Sequence, residues 1–372
     1  MSNALDYISI SGFRSIAAID RLELKPINIV IGPNGSGKSN FIGVFSFLHA
    51  IRDGRLAEYV LQSGGAERIL HFGSKTTKGI QLRLSFEDEV NQYEIALSPN
   101  ADDALFVSSE IASTWYKVSG HAKPFDTPLQ PRHRGREAGI SDIDIEINAR
   151  WARRRVGSWQ VYHVHDTSAS SPMRKTASLD DNAFIRPDGA NLAAFLYLLQ
   201  QRHEESYRLI RSAIQRVAPF FDDFQLAPRR LQEDFIRLEW RHKHSDQHFD
   251  ASSLSDGTLR FIVLATLFLQ PISLRPSVII VDEPELGLHP YAIEMLAALV
   301  RQASRETQVI VSTQSSLLLD HFDPQDVLVA NRVDGATQLT RLDGNDYAEW
   351  LKEYSLGQLW EKNELGGRPS PD

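Results

Sequence analysis

Gly32-Pro33-Asn34-Gly35-Ser36-Gly37-Lys38-Ser39 decides the fold. The eight residues match G-x-x-x-x-G-K-[ST], whose glycines let backbone N–H groups converge on phosphate oxygens while the next helix adds its positive dipole end. The flanks supply the context this motif needs. Before it, Ile27-Asn28-Ile29-Val30-Ile31 is almost continuously apolar and β-branched, as in a strand buried on both faces. After it, residues 40–51 carry Phe41, Val44, Phe45, Phe47 and Leu48 at helical spacing. Asn34, Gly35, Ser36, Gly37 and Asn40 are the loop's candidate phosphate-facing residues. Lys38 can reach the β- and γ-phosphates of a nucleotide, and the Ser39 hydroxyl is placed to ligate magnesium.

Two further constellations lie far along the chain. Val278-Ile279-Ile280-Val281-Asp282-Glu283 reads as a buried strand ending in two carboxylates. Asp282 is positioned to hold Mg2+ and Glu283 to polarise an attacking water as general base. Upstream, Ser253-Leu254-Ser255-Asp256-Gly257-Thr258-Leu259-Arg260 opens an apolar helix. Ser255 offers a hydroxyl and Gly257 bare N–H groups at a helix start, although a plain N-cap would use Ser255 equally well.

In this order the three motifs resemble the Walker A, signature and Walker B elements of ATP-binding-cassette ATPases. The chain is similar to their RecF/SMC-like branch. Within it the chain is similar to the bacterial "AAA family" predicted ATPases, a group that includes the ATPase half of overcoming-lysogenisation-defect proteins. The resemblance is carried by Gly12-Phe13-Arg14-Ser15, residues 31–40, 254–260, 280–290 and 309–319, and by the ending at 354–360 and 366–369. Residues 100–220 match only loosely. The resemblance implies an α/β P-loop NTPase of ABC type: a mixed central sheet, an antiparallel β lobe and an inserted helical lobe. It implies binding of ATP with Mg2+, and a homodimer in the ATP state with Ser255 and Gly257 acting in trans. Residues 285–289 would then be a D-loop, and Arg14 would approach nucleotide. At the usual switch histidine stands Thr313-Gln314. Gln314 can hydrogen-bond phosphate or water but carries no charge, so slow hydrolysis is expected. Gln62, Gln81 and Gln92 all remain open as the Q-loop residue.

Composition narrows the class. The 372 residues carry 40 basic and 48 acidic side chains, a net charge of −8, and no cysteine, which excludes disulfides, thiolate metal sites and cysteine nucleophiles. The start MSNALDYISI shows no basic-then-apolar leader, and no apolar run is long enough to span a bilayer. The expectation is a cytoplasmic protein with no membrane association. No long heptad run or fixed-period repeat is present.

We divide the chain into an N-terminal ATPase lobe (1–100), an inserted β arm and helical lobe (101–250), a C-terminal ATPase lobe (251–345) and a tail (346–372). Residues 119–157 read as an irregular arm rich in arginine (Arg132, Arg134, Arg136, Arg153, Arg154, Arg155). With Arg229, Arg230, Arg241 and Lys243 these could give DNA a local basic surface despite the acidic whole, or serve as a solvated arm or protein contact. His163-x-His165 on a strand has ligand-like spacing without an evident third ligand, and Asp142-x-Asp144-x-Glu146 reads as a solvated strand face. Three functions compete: an ATPase switch acting on DNA or on a separately encoded nuclease or effector in DNA repair or phage defence, a non-hydrolysing ATP-locked scaffold, and a transporter motor subunit.

Overall fold

The computed structural model describes residues 4–117 and 123–366, so Gly367, Arg368 and Pro369 lie outside the described residues. The chain forms two compact units, one of residues 1–159, 323–353 and 359–372, the other of residues 160–322 and 354–358.

The first unit begins with β1 (Leu5–Phe13) and β2 (Ile16–Glu23), an antiparallel pair whose second strand is exposed on one side. β3 (Ile27–Ile31) is buried at all five positions, as its apolar run requires. It leads through the glycine loop into α1 (Lys38–Arg52), which buries Phe41, Val44, Phe45, Phe47 and Leu48. Phe47 stacks on Phe13 at 5.2 Å and Phe45 meets Trp159 edge-on at 5.5 Å, so aromatic packing locks the helix onto its unit. After α2 (Leu56–Gln62) come β4 (Ile80–Phe86), β5 (Asn91–Pro99), β6 (Leu105–Thr114) and β7 (Phe125–Pro128). They extend β1 and β2 into one antiparallel sheet of order β2-β1-β4-β5-β6-β7.

One expectation for the next segment fails. Residues 142–146 are not a strand, because the Asp142 carboxylate accepts the Asp144 N–H at 3.0 Å and turns the chain. Of the arginine-rich stretch expected as an irregular arm over 119–157, residues 119–122 lie outside the described residues and the rest is largely irregular up to its last part. Its last part is α3 (Arg150–Gly157), where Arg155 is buried against Glu87 and Arg153 donates to the carbonyls of Arg52 (2.9 Å) and Ile140 (2.8 Å). Arg132, Arg134, Arg136 and Arg154 stay exposed.

A carboxylate pins this segment to the sheet. Glu110, on β6 and buried, accepts the Tyr93 hydroxyl at 2.8 Å and the N–H groups of Gly139 (2.6 Å) and Ile140 (2.9 Å). Burial raises its carboxyl above the ordinary range against these three bonds. Glu110→Ala strands three buried donors, and a loss of about 3 kcal/mol is expected in urea unfolding.

β8 (Trp159–Tyr162) is short. The sequence pattern extends this strand through His165, but the His163 N–H turns aside to the Pro187 carbonyl at 3.2 Å and the strand stops. The second unit then builds a helical pair, α4 (Leu192–Arg202) and α5 (Glu204–Val217), broken at His203 as the periodicity predicts. β9 (Phe221–Phe224), β10 (Glu239–His242) and β11 (His248–Asp250) form a small antiparallel sheet. The strand expected at 235–240 is two, since Gln232–Ile236 belongs to a different sheet. α6 (Asp256–Leu269) is almost entirely buried after its first turn. β12 (Val278–Asp282), α7 (Pro290–Ala303), β13 (Gln308–Thr313) and α8 (Ser316–Leu319) complete the unit. β12 and β13 pair in parallel with Asp282 beside Ser312.

The chain returns to the first unit with β14 (Val327–Val333), parallel to β3, and β15 (Ala336–Arg341), antiparallel to β14. β15 is absent from the sequence reading. Among the described residues no helix is long and apolar enough to cross a membrane.

Candidate functional site

In the first unit the loop of residues 32–39 is shaped by its own lysine. Lys38, buried at the start of α1, donates to the carbonyls of Gly32 (2.6 Å) and Pro33 (3.0 Å). Gly37 caps the helix at φ 101°, a left-handed conformation. A Cβ there would lie 1.9 Å from the Thr337 hydroxyl oxygen, so glycine is required twice over. Thr337 belongs to a chain of hydrogen bonds that sequence reasoning missed: Asn40 donates to the Ser15 hydroxyl (2.6 Å), which shares a bond with Thr337 (2.7 Å), which donates to the Ser36 carbonyl (2.9 Å). The turn after β1, the glycine loop and β15 are thereby tied together. The sequence signal was present in Asp334-Gly335, whose φ values of 50° and 76° make the tight hairpin that creates β15. Asn34, Gly35 and Ser39 are exposed, and the Ser36 hydroxyl is buried without a hydrogen-bond partner. Arg14, at φ 50°, donates to the Tyr59 hydroxyl at 3.2 Å.

The open glutamines fall elsewhere in this unit. Gln62 ends α2 and donates to Glu58, Gln81 lies on β4, and Gln92 on β5 accepts from Arg83.

In the second unit the carboxylates gather at the C-terminal ends of β12 and β13. Asp282 accepts the Ser312 hydroxyl. Glu283 sits at φ 43°, strained for a non-glycine residue, with its N–H on the Ser312 carbonyl at 2.9 Å and its carboxylate accepting the Gln314 amide. Glu285 is buried and accepts the Thr313 hydroxyl (2.5 Å) and the Gln314 N–H (3.2 Å); burial raises its carboxyl, with those bonds opposing. The strand-end carboxylates, Thr313 and Gln314 form one interlocked cluster.

Ser255 and Gly257 stand at the start of α6. Ser255 is exposed and its hydroxyl accepts the Thr258 N–H at 3.2 Å, so it is an N-cap. A Cβ on Gly257 would approach the Gly287 carbonyl to 2.4 Å, which makes close packing against 285–289 one reason for glycine here. Two arginines that the sequence did not single out fix this region. Arg174 donates to the Leu254 carbonyl and, at 2.8 Å, to Asp256. Arg260 donates to the carbonyls of Val164 (2.7 Å) and His165 (3.0 Å). Asn34 to Asn40 and Arg14 therefore stand in the first unit, and Ser255, Gly257, Asp282, Glu283 and Gln314 in the second.

A family model described as "AAA domain, putative AbiEii toxin, Type IV TA system" matches residues 27–320. The chain belongs to this family. A Geobacter sulfurreducens protein named "Putative ABC transporter ATP-binding protein" is 28% identical over 139 residues, 34% of this chain and 52% of that protein. The Thermoplasma acidophilum chromosome partition protein Smc is 32% identical over 104 residues, 25% of this chain and 9% of that protein. The chain thus spans about half the length of the first relative and a small part of the second. Among solved structures, an SmcHead bound to the C-winged helix domain of ScpA superposes with a TM-score of 0.62 at 15% identity, over 93% of this chain and 99% of that one. A Pyrococcus furiosus Smc head domain with an extended coiled coil, bound to the C-terminal domain of ScpA, gives 0.59 at 14% identity, over 94% and 98%. The fold is that of an SMC head, and the family is one of AAA domains.

Proposed function

We propose that this protein is an ATP-driven conformational switch that hydrolyses ATP slowly with Glu283 as general base. Lys38 is assigned to the nucleotide's phosphates, Ser39 in the first unit is assigned as a cation ligand, and Asp282 in the second unit likewise. A hydroxyl and a carboxylate are the oxygen donors that Mg2+ takes, and Mg2+ there would neutralise phosphate charge. The unpartnered buried Ser36 hydroxyl also suits a loop built to meet an anion. Glu283 carries the reading. It is held in a strained backbone conformation by Ser312 and oriented by Gln314, which is what a base awaiting a water requires. Glu283 takes the proton as water attacks, giving ADP and phosphate. Gln314 orients the base and supplies no charge.

The helix start at Ser255 is exposed, although its hydroxyl caps α6, and we assign it the role of meeting the nucleotide of a second copy in an ATP-bound homodimer. The work of the switch falls on DNA or on a nuclease partner, in genome maintenance or phage defence; the Smc relative and the exposed Arg132, Arg134, Arg136 and Arg154 support this direction.

Glu283→Gln protein is expected to elute as a dimer with Mg·ATP and as a monomer without it, while Ser255→Arg in that background stays monomeric but folded, its stability lowered only by the lost N-cap, about 1 kcal/mol. The dimer fraction should shift linear DNA in a gel, with binding falling steeply between about 50 and 200 mM salt. A monomer under every condition refutes the dimer switch, and no shift at low salt refutes DNA as its target.

A further inference from the structure

The His163 and His165 spacing lacked a third ligand in the sequence, and the fold supplies one. One ligand atom from each of His163, His165 and Asp282 lies within 4.8 Å of the others, the sole such group of three or more histidine and carboxylate ligands among the described residues. His163 Nδ1 stands 3.9 Å from Asp282 Oδ2, and the two imidazole centroids are 6.1 Å apart. We propose that these three side chains form a site for a divalent transition-metal ion of the zinc class, distinct in chemistry from the Mg2+ of the nucleotide.

Three observations carry this. The first is donor type. Two imidazoles and one carboxylate are the set that zinc and its first-row neighbours take, whereas Mg2+ prefers oxygen and its own waters. The second is preparation of the loop. Residues 163–165 are not free chain, because Arg260 holds the Val164 and His165 carbonyls and Pro187 accepts the His163 N–H. The third is the orientation of Asp282. Ser312 occupies its Oδ1, which leaves Oδ2 as the oxygen nearer His163. Ligands around zinc sit about 2.0–2.2 Å from the ion, so their atoms must close to within roughly 3.5 Å of one another. Rotation of the imidazoles can supply that closure, since the His163 side chain is 49% exposed. Three protein ligands leave a fourth position open, as in a regulatory or catalytic site rather than a closed structural one.

A consequence follows that rests on the proposed function. Asp282 cannot serve both ions fully, so zinc at this site would compete with Mg2+ and slow ATP turnover. The binding test stands apart from that reading. Zinc chloride titrated calorimetrically into the metal-stripped, nucleotide-free full chain should show one tight equivalent, weakened at least about tenfold in His163→Ala and in His165→Ala, with melting temperatures unchanged in zinc-free buffer. Cobalt(II) should give visible bands of low-coordinate geometry in the parent protein that both variants lose. Zinc affinity equal in the parent and both variants, or no binding at micromolar zinc, overturns the site. If binding is as expected but zinc leaves ATP turnover unaltered in the parent protein, the metal site stands and the assignment of Asp282 to the nucleotide's cation fails.

Discussion

Glu283→Gln is expected to cut ATP turnover by at least about a hundredfold while leaving ATP affinity within a few-fold of the parent. The substitution keeps the side chain's length and volume, so its effect isolates proton acceptance. The backbone at φ 43° is held by Ser312, not by the Glu283 side chain, and should stay in place. The partner of the side chain is the Gln314 amide, and an amide at 283 can turn its own oxygen toward that donor. Gln314→Ala gives the matched comparison. It removes the orienting contact but leaves the base, so a smaller loss is expected, of about tenfold. Glu285 offers an alternative carboxylate, but it is buried where Glu283 is half-exposed, and Thr313 and Gln314 both hold its Oε1, so Glu283 is the better-placed base. Single-turnover assays with saturating Mg·ATP read these rates, and a fluorescent ATP analogue reads binding. Unchanged turnover in Glu283→Gln would remove the base assignment, and an ATP-dependent dimer without turnover in the parent would favour the non-hydrolysing scaffold.

The parts of this protein that were legible in its sequence are those specified locally. β3 and α1 follow from an apolar run, a glycine loop and a 3.6-residue period, and the break between α4 and α5 falls where apolar spacing lapses. The strand-end carboxylates were visible because an apolar run stops at Asp282. Features decided by distant partners were not legible. Thr337 reaches the glycine loop from roughly 300 residues away in sequence, and nothing near Ser36 announces it. Arg174 and Arg260 look like ordinary surface cations until the carbonyls they hold are known. Alternation misled in two places. Residues 163–165 and 142–146 both carry the period of a strand, but a backbone bond to Pro187 diverts the first and an aspartate turn bends the second. A two-residue period tells which side chains share a face only where the backbone is already extended.

Two glycines of one loop are set apart by a distant partner in the same way. Gly35 and Gly37 are two residues apart, both at positive φ; the motif fixes Gly37 and leaves Gly35 open, and the structure gives a physical reason for the difference. Alanine at either position carries the strain of a left-handed backbone, on the order of 1 kcal/mol. At Gly35 a Cβ would meet nothing within 4 Å. At Gly37 it would meet the Thr337 hydroxyl at 1.9 Å and its Cβ at 2.8 Å, and Thr337 cannot yield without breaking its bonds to Ser15 and Ser36. The alternative is for the loop to move, which shifts the first turn of α1 and Lys38 with it. Gly37→Ala is therefore expected to weaken ATP binding at least about a hundredfold, the cost of misplacing the phosphate-facing backbone by about an ångström. Gly35→Ala should cost about tenfold or less, consistent with strain alone. Equilibrium binding of Mg·ATP, with far-UV circular dichroism to establish that both variants fold, measures the difference. Equal losses at the two glycines would show that the Thr337 contact does not shape the loop. A loss confined to Gly37 would show that β15, a strand more than 290 residues from the loop, holds the phosphate cradle in register.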